Sequence, residues 1–281
     1  MAIIEIRNLT FTYAGSDEPA IRDISLNIEE GEFVLIMGRS GCGKTTLCRC
    51  LNGLIPHFYR GEMKGDVIIN GLNTRKHTVA EIAQIVGMVF QEPENQLVTM
   101  SVEKELAFGP ENLGIPPDEI RERVERVIKL MNLENIRDRA PYELSGGEQQ
   151  KVAIASVLTL EPKILVLDEP TSSLDPASAT KILEIIANLN RLYGITVVLI
   201  EHRPELVMRY VTKIIIMDKG RIIMEGNPRE VFSHGTFEEL GIEAPVPVRL
   251  FHMLRKRGLG KMNIVPITED EATRLILGLV G

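Results

Sequence analysis

The chain has 281 residues, of which 44% are hydrophobic and 25% charged, and its formal net charge is −7. This length suits one main domain with a smaller appendage. The acidic balance argues against a nucleic-acid partner, because surfaces that bind nucleic acids normally carry a basic footprint. No apolar run reaches the roughly eighteen residues needed to span a bilayer, and Met1–Glu5 is typical of a strand rather than of a secretion signal. We therefore expect a cytoplasmic chain that touches a membrane only through a partner.

The first motif is rich in glycine and follows a short apolar run, Glu32–Met37, which predicts a buried parallel strand. Glycines at its end let backbone N–H groups turn inward around a phosphate without Cβ clashes. A helix beginning near Gly43 would add free N–H donors and the positive end of its dipole. Lys44 would reach the β- and γ-phosphates of a nucleotide, and the Thr45 hydroxyl would bind Mg²⁺. The residues predicted to hold ATP in this phosphate loop are Gly38, Ser40, Gly41, Cys42, Gly43, Lys44, Thr45 and Thr46.

A second apolar run, Lys163–Leu167, predicts another buried strand and ends in the acidic pair Asp168 and Glu169. In open α/β sheets, ligands bind outside the carboxyl ends of the strands. Asp168 would therefore face the Mg²⁺ bound by Thr45, while Glu169 would orient or deprotonate the attacking water. The alternative, a solvated acidic turn, is less favoured because the same chain carries the phosphate loop.

Further motifs follow in a defined order. Gln91 ends a predicted strand, Ile85–Phe90, and His202 follows the apolar run Ile195–Ile200. The motifs in chain order are the phosphate loop, Gln91, Leu144–Gly147, Asp168–Glu169, Ser173–Asp175 and His202. In this order they resemble the nucleotide-binding subunit of ABC transporters over about residues 1–230. The resemblance implies an α/β fold, with a RecA-like P-loop NTPase core, an antiparallel β subdomain, a helical subdomain inserted at about 98–155, and a small helical C-terminal extension over 231–281.

The resemblance also implies roles for single residues. Tyr13, after the strand-like Ile3–Arg7, matches the aromatic residue that stacks on adenine; a plain turn tyrosine is the alternative. Gln91 would contact Mg²⁺ or the attacking water, and His202 would hydrogen-bond the γ-phosphate. Asp175 would lie in a loop that crosses to an opposing subunit.

The Leu-Ser-Gly-Gly motif would supply the second half of the nucleotide site. Ser145 is a natural N-cap, and Gly146 and Gly147 allow a helix N-terminus to approach a γ-phosphate closely. The resemblance implies that this half-site serves the ATP of another subunit, so two ATPase subunits would join head to tail. Identical and related second subunits both remain open. Glu148 and Lys151 depart from the family pattern, where Gln and Arg are common.

The segments Val89–Leu97 and Ser101–Gly114 resemble the ATPases of energy-coupling factor (ECF) transporters, which import vitamins and transition metals. The resemblance implies a transmembrane coupling subunit that docks near Gln91–Leu97, a substrate-binding membrane subunit met only indirectly, and a place on the cytoplasmic face of the membrane. Glutamates of this region would pair with arginines of the coupling subunit; the candidates are Glu92, Glu94 and Glu103. A solvated acidic loop is the alternative for each. The rival function is a soluble ABC ATPase of the translation or DNA-repair class.

The remaining predictions concern the cysteines and the C-terminus. Cys42 lies at a helix N-terminus, where thiol pKa values fall, so we expect a reactive thiol that ATP shields. Cys48 and Cys50 point apart on a helix, which argues against a zinc site. Lys213–Met217 and Arg221–Glu225 predict a β-hairpin. A last helix is predicted from Thr268, which forms a capping box with Glu271. The extension would either hold two subunits together or pack on its own core.

Overall fold

The computed structural model describes residues 2–235, 237, 240–258 and 264–280. Its strands form two sheets. The strands within the described ranges are β1 (Ala2–Tyr13), β2 (Ile21–Glu29), β3 (Phe33–Gly38), β4 (Gly61–Ile69), β5 (Leu72–Asn73), β6 (Val86–Val89), β7 (Ile164–Asp168), β8 (Thr196–Ile200), β9 (Lys213–Asp218) and β10 (Arg221–Gly226). One sheet has the order β2-β1-β4-β5 and is antiparallel, and the other has the order β10-β9-β3-β8-β7-β6.

The second sheet is mainly parallel. Its five strands from β9 to β6 are parallel, and β10 closes the edge as an antiparallel hairpin with β9. Every residue of β6, β7 and β8 is buried. That burial explains why these strands are continuous apolar runs, since a parallel sheet is covered on both faces. The four core strands and the hairpin predicted from the sequence are confirmed.

Ten helices lie within the described ranges. They are α1 (Lys44–Leu51), α2 (Leu54–His57), α3 (Val79–Ala83), α4 (Val102–Asn112), α5 (Pro117–Met131), α6 (Gly146–Leu158), α7 (Pro176–Tyr193), α8 (Pro228–Ser233), α9 (Val246–Lys256) and α10 (Glu269–Val280). Short 3-10 turns lie at Pro93–Asn95, Glu134–Ile136, Pro141–Glu143 and Pro204–Leu206. The group α4 to α6 corresponds to the helical subdomain predicted at about 98–155. No helix in the described ranges is long and apolar enough to cross a membrane.

Alternate residues of β3 show how the layers meet. Phe33 and Leu35 belong to a hydrophobic cluster with residues of α4 to α7. Val34 and Ile36 point to the opposite face, into a cluster with α1 and the antiparallel sheet. The parallel sheet is therefore packed between a helical layer and a mixed layer, and its carboxyl edge is left for the site.

The C-terminal extension packs against this core within the described ranges. Phe237, Val248 and Phe251 are buried in the same cluster as the strands and α7. Arg229 of α8 donates to both carboxylate oxygens of Glu271 in α10, at 2.6 and 3.1 Å. The predicted last helix is confirmed and begins at Glu269. Half of the predicted capping box is present, because the Thr268 hydroxyl accepts the Glu271 N–H at 3.4 Å. The Glu271 carboxylate accepts the Ile267 N–H at 2.9 Å. Residues 236, 238–239, 259–263 and 281 of the predicted extension lie outside the described residues.

Candidate active site

The phosphate loop depends on glycines that no other residue could replace. Gly38 has φ 152°, and a Cβ there would lie 2.3 Å from the Met217 carbonyl oxygen. Gly43 has φ 107°, and its Cβ would lie 2.6 Å from the Ala20 carbonyl oxygen. Lys44 is buried, and its Nζ donates to the carbonyls of Gly38 at 2.8 Å and of Arg39 at 3.1 Å. The loop therefore turns tightly around its own lysine ammonium, at the position where the sequence places the nucleotide phosphates.

Asp168, at the end of β7, has the properties of a metal ligand. It is 2% exposed, and its Oδ1 has no hydrogen-bond partner among the described residues. Burial raises the pKa of its carboxyl, and a hydrogen bond from Thr45 and the charges of Arg49 and Lys44 offset this only in part. A buried carboxylate oxygen without a partner is costly unless a cation balances it. Asp168 and Thr45, two oxygen donors side by side, therefore fit Mg²⁺.

Glu169, Gln91 and His202 come together at the carboxyl ends of three neighbouring strands, β7, β6 and β8. Gln91 Nε2 donates to Glu169 Oε2 at 3.1 Å, and His202 Nε2 lies 2.8 Å from Glu169 Oε1. The Glu169 side chain is 19% exposed and that of His202 is 48% exposed. Glu169 has φ 52°, a left-handed conformation that is unfavourable for a residue with a Cβ. The fold thus holds this carboxylate in place between an amide and an imidazole.

Tyr13 is the last residue of β1, directly before the turn at Ala14 and Gly15. Its hydroxyl lies 3.1 Å from Thr46 Oγ1 and accepts from Arg49 at 3.2 Å. Its ring meets that of Tyr59 edge to face, with 6.1 Å between centroids. Tyr13 therefore stands beside the first turns of α1, next to the phosphate loop.

The Leu-Ser-Gly-Gly motif begins α6. Ser145 caps this helix by accepting the Glu148 N–H at 3.4 Å, and the Glu148 carboxylate accepts from the Ser145 N–H at 2.9 Å. This reciprocal pair is a capping box, and it explains why glutamate stands at position 148, where glutamine is common in the family. The Ser-x-x-Glu spacing could have predicted this capping box. A Cβ on Gly147 would lie 3.1 Å from the Leu174 side chain, so α6 starts against the loop before α7. Asp175 caps α7 by accepting the N–H groups of Ala177 and Ser178 at 3.0 and 3.1 Å.

The expectation that the helix N-terminus lowers the thiol pKa of Cys42 is wrong. Its side chain is buried, with 5% exposed, and burial raises the pKa of its thiol although the Lys44 charge acts in the opposite direction. Helix α1 begins two residues later, at Lys44. Burial therefore outweighs the helix terminus as an influence on the thiol. Cys48 and Cys50 are fully buried, and burial raises the pKa of both thiols.

The acidic segment after β6 is mostly exposed. Pro93–Asn95 forms a single 3-10 turn, and Glu92 accepts from Asn95 Nδ2 at 2.5 Å. Glu103, by contrast, forms an ion pair with Arg137 inside the chain, which lowers the pKa of its carboxyl. The expectation that Glu103 is available to a partner's arginine is therefore not supported. The side chains of Val98 and Met100, which follow this segment, are exposed.

Sequence reasoning missed a buried network beside His202. Glu201 is 6% exposed and accepts hydrogen bonds from the backbone of His202 and from the side chain of Thr171. The Arg203 guanidinium donates to both the carbonyl and the hydroxyl of Thr171. A Glu-His-Arg sequence after a strand carries no local signal for such a network, because Thr171 is about thirty residues away.

Comparison with known proteins agrees with this geometry. The ABC transporter family model matches residues 21–172. A Pyrococcus abyssi protein of the ABC transporter ATP-binding type is 45% identical over 270 residues, which cover 96% of each chain. The energy-coupling factor transporter ATP-binding protein EcfA1 of Clostridium novyi is 38% identical over 282 residues, covering 99% of this chain and 98% of its own.

Solved structures extend the likeness to three dimensions. The structure of cbiO1 from Clostridium perfringens, part of the ABC transporter complex cbiONQ, has a TM-score of 0.74 and 32% identity, covering 89% of this chain and 99% of that one. A dimeric ATP-binding cassette in a post-hydrolysis state, bound to ADP and Pi, has a TM-score of 0.72 and 30% identity, covering 80% and 99%. The predicted fold and the resemblance to ABC transporter subunits are confirmed. The chain belongs to the ABC transporter ATP-binding family and is an ATPase that resembles those of energy-coupling factor systems.

Proposed function

We propose that this chain powers an importer of the ECF type, as a peripheral ATPase subunit on the cytoplasmic face of the cell membrane. The observation that carries the proposal is the Glu169 carboxylate, held between Gln91 and His202 beside the phosphate loop. A nucleotide-binding scaffold that does not hydrolyse ATP would not need both Glu169 and His202. The names of the relatives support a transporter, and the cargo, a vitamin or a transition metal, would be chosen by the substrate-binding membrane subunit.

The proposed chemistry gives each of these side chains a role. Backbone N–H groups of the phosphate loop and the Lys44 ammonium bind the β- and γ-phosphates, while the Tyr13 ring stacks on adenine. Thr45, Asp168 and Gln91 would hold Mg²⁺, which when bound neutralises charge that develops on the phosphate oxygens. Glu169 accepts a proton from the attacking water or orients it, and Gln91 keeps the carboxylate directed at that water. His202 hydrogen-bonds the γ-phosphate.

The second half of the site comes from another ATPase subunit, identical or related. The Ser145, Gly146 and Gly147 helix start of that subunit would meet the γ-phosphate, and the Asp175 loop would cross the interface. ATP binding then closes the two subunits head to tail and hydrolysis reopens them, so the chemical step drives a conformational change. The C-terminal extension, 231–281, would help hold the two subunits together between turnovers, while its described part also stabilises its own core.

Hydrolysis is tested by Glu169→Gln, which keeps the shape of the side chain, replaces one acceptor oxygen with a donor NH2 group and removes the basicity. We expect kcat to fall by about a hundredfold or more, with ATP affinity retained and an ATP-dependent dimer accumulating on size exclusion. Glu205→Gln is the matched control, because Glu205 is exposed and lies three residues beyond His202. Turnover of Glu169→Gln at the wild-type rate would refute the assigned role.

The importer role is tested by affinity purification of the tagged chain from detergent-solubilised native membranes. We expect a polytopic membrane protein to be recovered, together with a small substrate-binding membrane subunit. Glu94→Arg should reduce this recovery, since it reverses a charge in the exposed acidic segment, whereas Glu119→Arg on the remote helix α5 should not. Recovery of ribosomes or DNA-repair proteins instead would favour the soluble ABC class.

A further inference from the structure

A buried carboxylate lies one residue before His202. Glu201 Oε1 accepts the backbone N–H groups of His202 at 2.9 Å and of Arg203 at 3.0 Å. Its Oε2 accepts the hydroxyl of Thr171. A buried charge is stable only when it is paired and hydrogen-bonded, so these contacts are required once glutamate occupies this position. The backbone of His202 is thereby held by the side chain of the preceding residue.

Arg203 completes the network through contacts with both Thr171 and Glu201. One guanidinium nitrogen donates to both the carbonyl and the hydroxyl of Thr171, each at 2.7 Å, and Arg203 Nε lies 3.8 Å from Glu201. Thr171 is fully buried, and its carbonyl also accepts from the Leu174 N–H at 3.1 Å in the turn that leads to Asp175. We call Thr171, Glu201 and Arg203 the clamp. It joins the segment after β8 to the segment after β7.

The clamp matters for function because the two segments that it joins also carry the two residues of one contact in the site, Glu169 and His202. Glu169 lies two residues before Thr171, and His202 lies between Glu201 and Arg203. Their side chains meet at 2.8 Å. Glu169 also has a left-handed backbone conformation, which persists only when the surrounding structure enforces it. Misplacement of a reacting group by about 1 Å can cost about a hundredfold in rate.

We propose that Thr171, Glu201 and Arg203 are positioning residues for ATP hydrolysis. The clamp sets the distance between Glu169 and His202, and it ties this pair to the loop that carries Asp175. The inference rests on the roles proposed above for Glu169 and His202.

Thr171 permits a test with two nearly isosteric changes in the full-length chain. Thr171→Val keeps the shape and removes the hydroxyl, whereas Thr171→Ser keeps the hydroxyl and removes a methyl group. Steady-state ATP hydrolysis, ATP affinity and thermal melting are measured for both. Thr159→Val is the matched control, because Thr159 is also fully buried and its hydroxyl bonds the carbonyls of Leu106 and Ser156 in the helical layer. Glu169→Gln is the reference for the site itself.

We expect Thr171→Val to lower kcat by about tenfold to a hundredfold, with KM for ATP nearly unchanged, and Thr171→Ser to retain most of the wild-type kcat. Wild-type kcat in Thr171→Val would overturn the proposal. So would a lower kcat for Ser than for Val, which would indicate packing, or an equal loss of kcat in Thr159→Val, which would indicate general destabilisation.

Arg203 supplies a second test that does not depend on a buried position, since a third of its side chain is exposed. Arg203→Met should lower kcat to a similar extent, and wild-type turnover in this variant would also overturn the proposal. Failure of the clamp can be distinguished from failure of the catalytic roles proposed for Glu169 and His202. If Glu169→Gln is inactive while Thr171→Val and Arg203→Met are active, only the clamp fails; if Glu169→Gln remains active, the proposed catalytic roles fail as well.

Discussion

Glu271→Gln should weaken the attachment of the last helix to the ATPase core. Glu271 accepts two hydrogen bonds from Arg229, at 2.6 and 3.1 Å, and a third from the Ile267 N–H at 2.9 Å. Arg229 also donates to the Val265 carbonyl at 2.8 Å, so this pair joins α8 to both the start of α10 and the segment before it. The glutamine keeps the shape but removes the charge from this bidentate contact.

The expected loss lies between two limits. Hydrogen bonds to charged groups contribute about 1.5–3 kcal/mol, whereas exposed ion pairs contribute about 0.2–1 kcal/mol. The two side chains are 39% and 30% exposed, so solvent screening reduces the value towards about 1 kcal/mol. Local opening of α10 should therefore become about fivefold more frequent. Hydrogen exchange of the amides in Glu269–Val280 measures this opening directly.

Glu269→Gln is the control, because it removes an exposed charge from the same first turn. Equal exchange rates in the two variants, or no change in Glu271→Gln, would refute the reasoning. The contact should also depend on pH. Its hydrogen bond to Arg229 lowers the pKa of Glu271, so its contribution is present above the ordinary glutamate pKa and is lost as the pH falls through the lowered value.

Three further predictions concern buried polar groups. Gln150→Leu should stabilise the chain by about 1–3 kcal/mol, because the fully buried amide of Gln150 has no hydrogen-bond partner among the described residues; a lower melting temperature would contradict this. Cys42 should react slowly with maleimide in the folded chain and quickly in denaturant, since it is buried and its thiol pKa is raised; fast labelling of the folded chain would show otherwise. Asp168→Asn should raise the melting temperature of the nucleotide-free chain by relieving a buried charge, yet remove the stabilisation by Mg-ATP; an undiminished Mg-ATP shift would refute its role as a ligand.

Local patterns carried much of the fold. The runs Glu32–Met37 and Lys163–Leu167 are buried strands in the structure, because strands covered on both faces must be apolar throughout. Gly38 and Gly43 could be interpreted without a structure, since a tight turn around phosphate demands residues without Cβ. The order of motifs along the chain then pointed to the family.

The sequence by itself thus determined which strands form the core and which family the chain belongs to, and it predicted which loop binds phosphate. These features depend on short runs of neighbouring residues and on the order of motifs along the chain. Tertiary structure alone decided the state of single side chains. Cys42 is buried within the phosphate loop, Glu103 is paired with Arg137 on a distant segment, and Glu201 is bonded to Thr171. Accessibility, pKa and pairing arise from contacts between segments far apart in the chain, and no local pattern records which segments will meet.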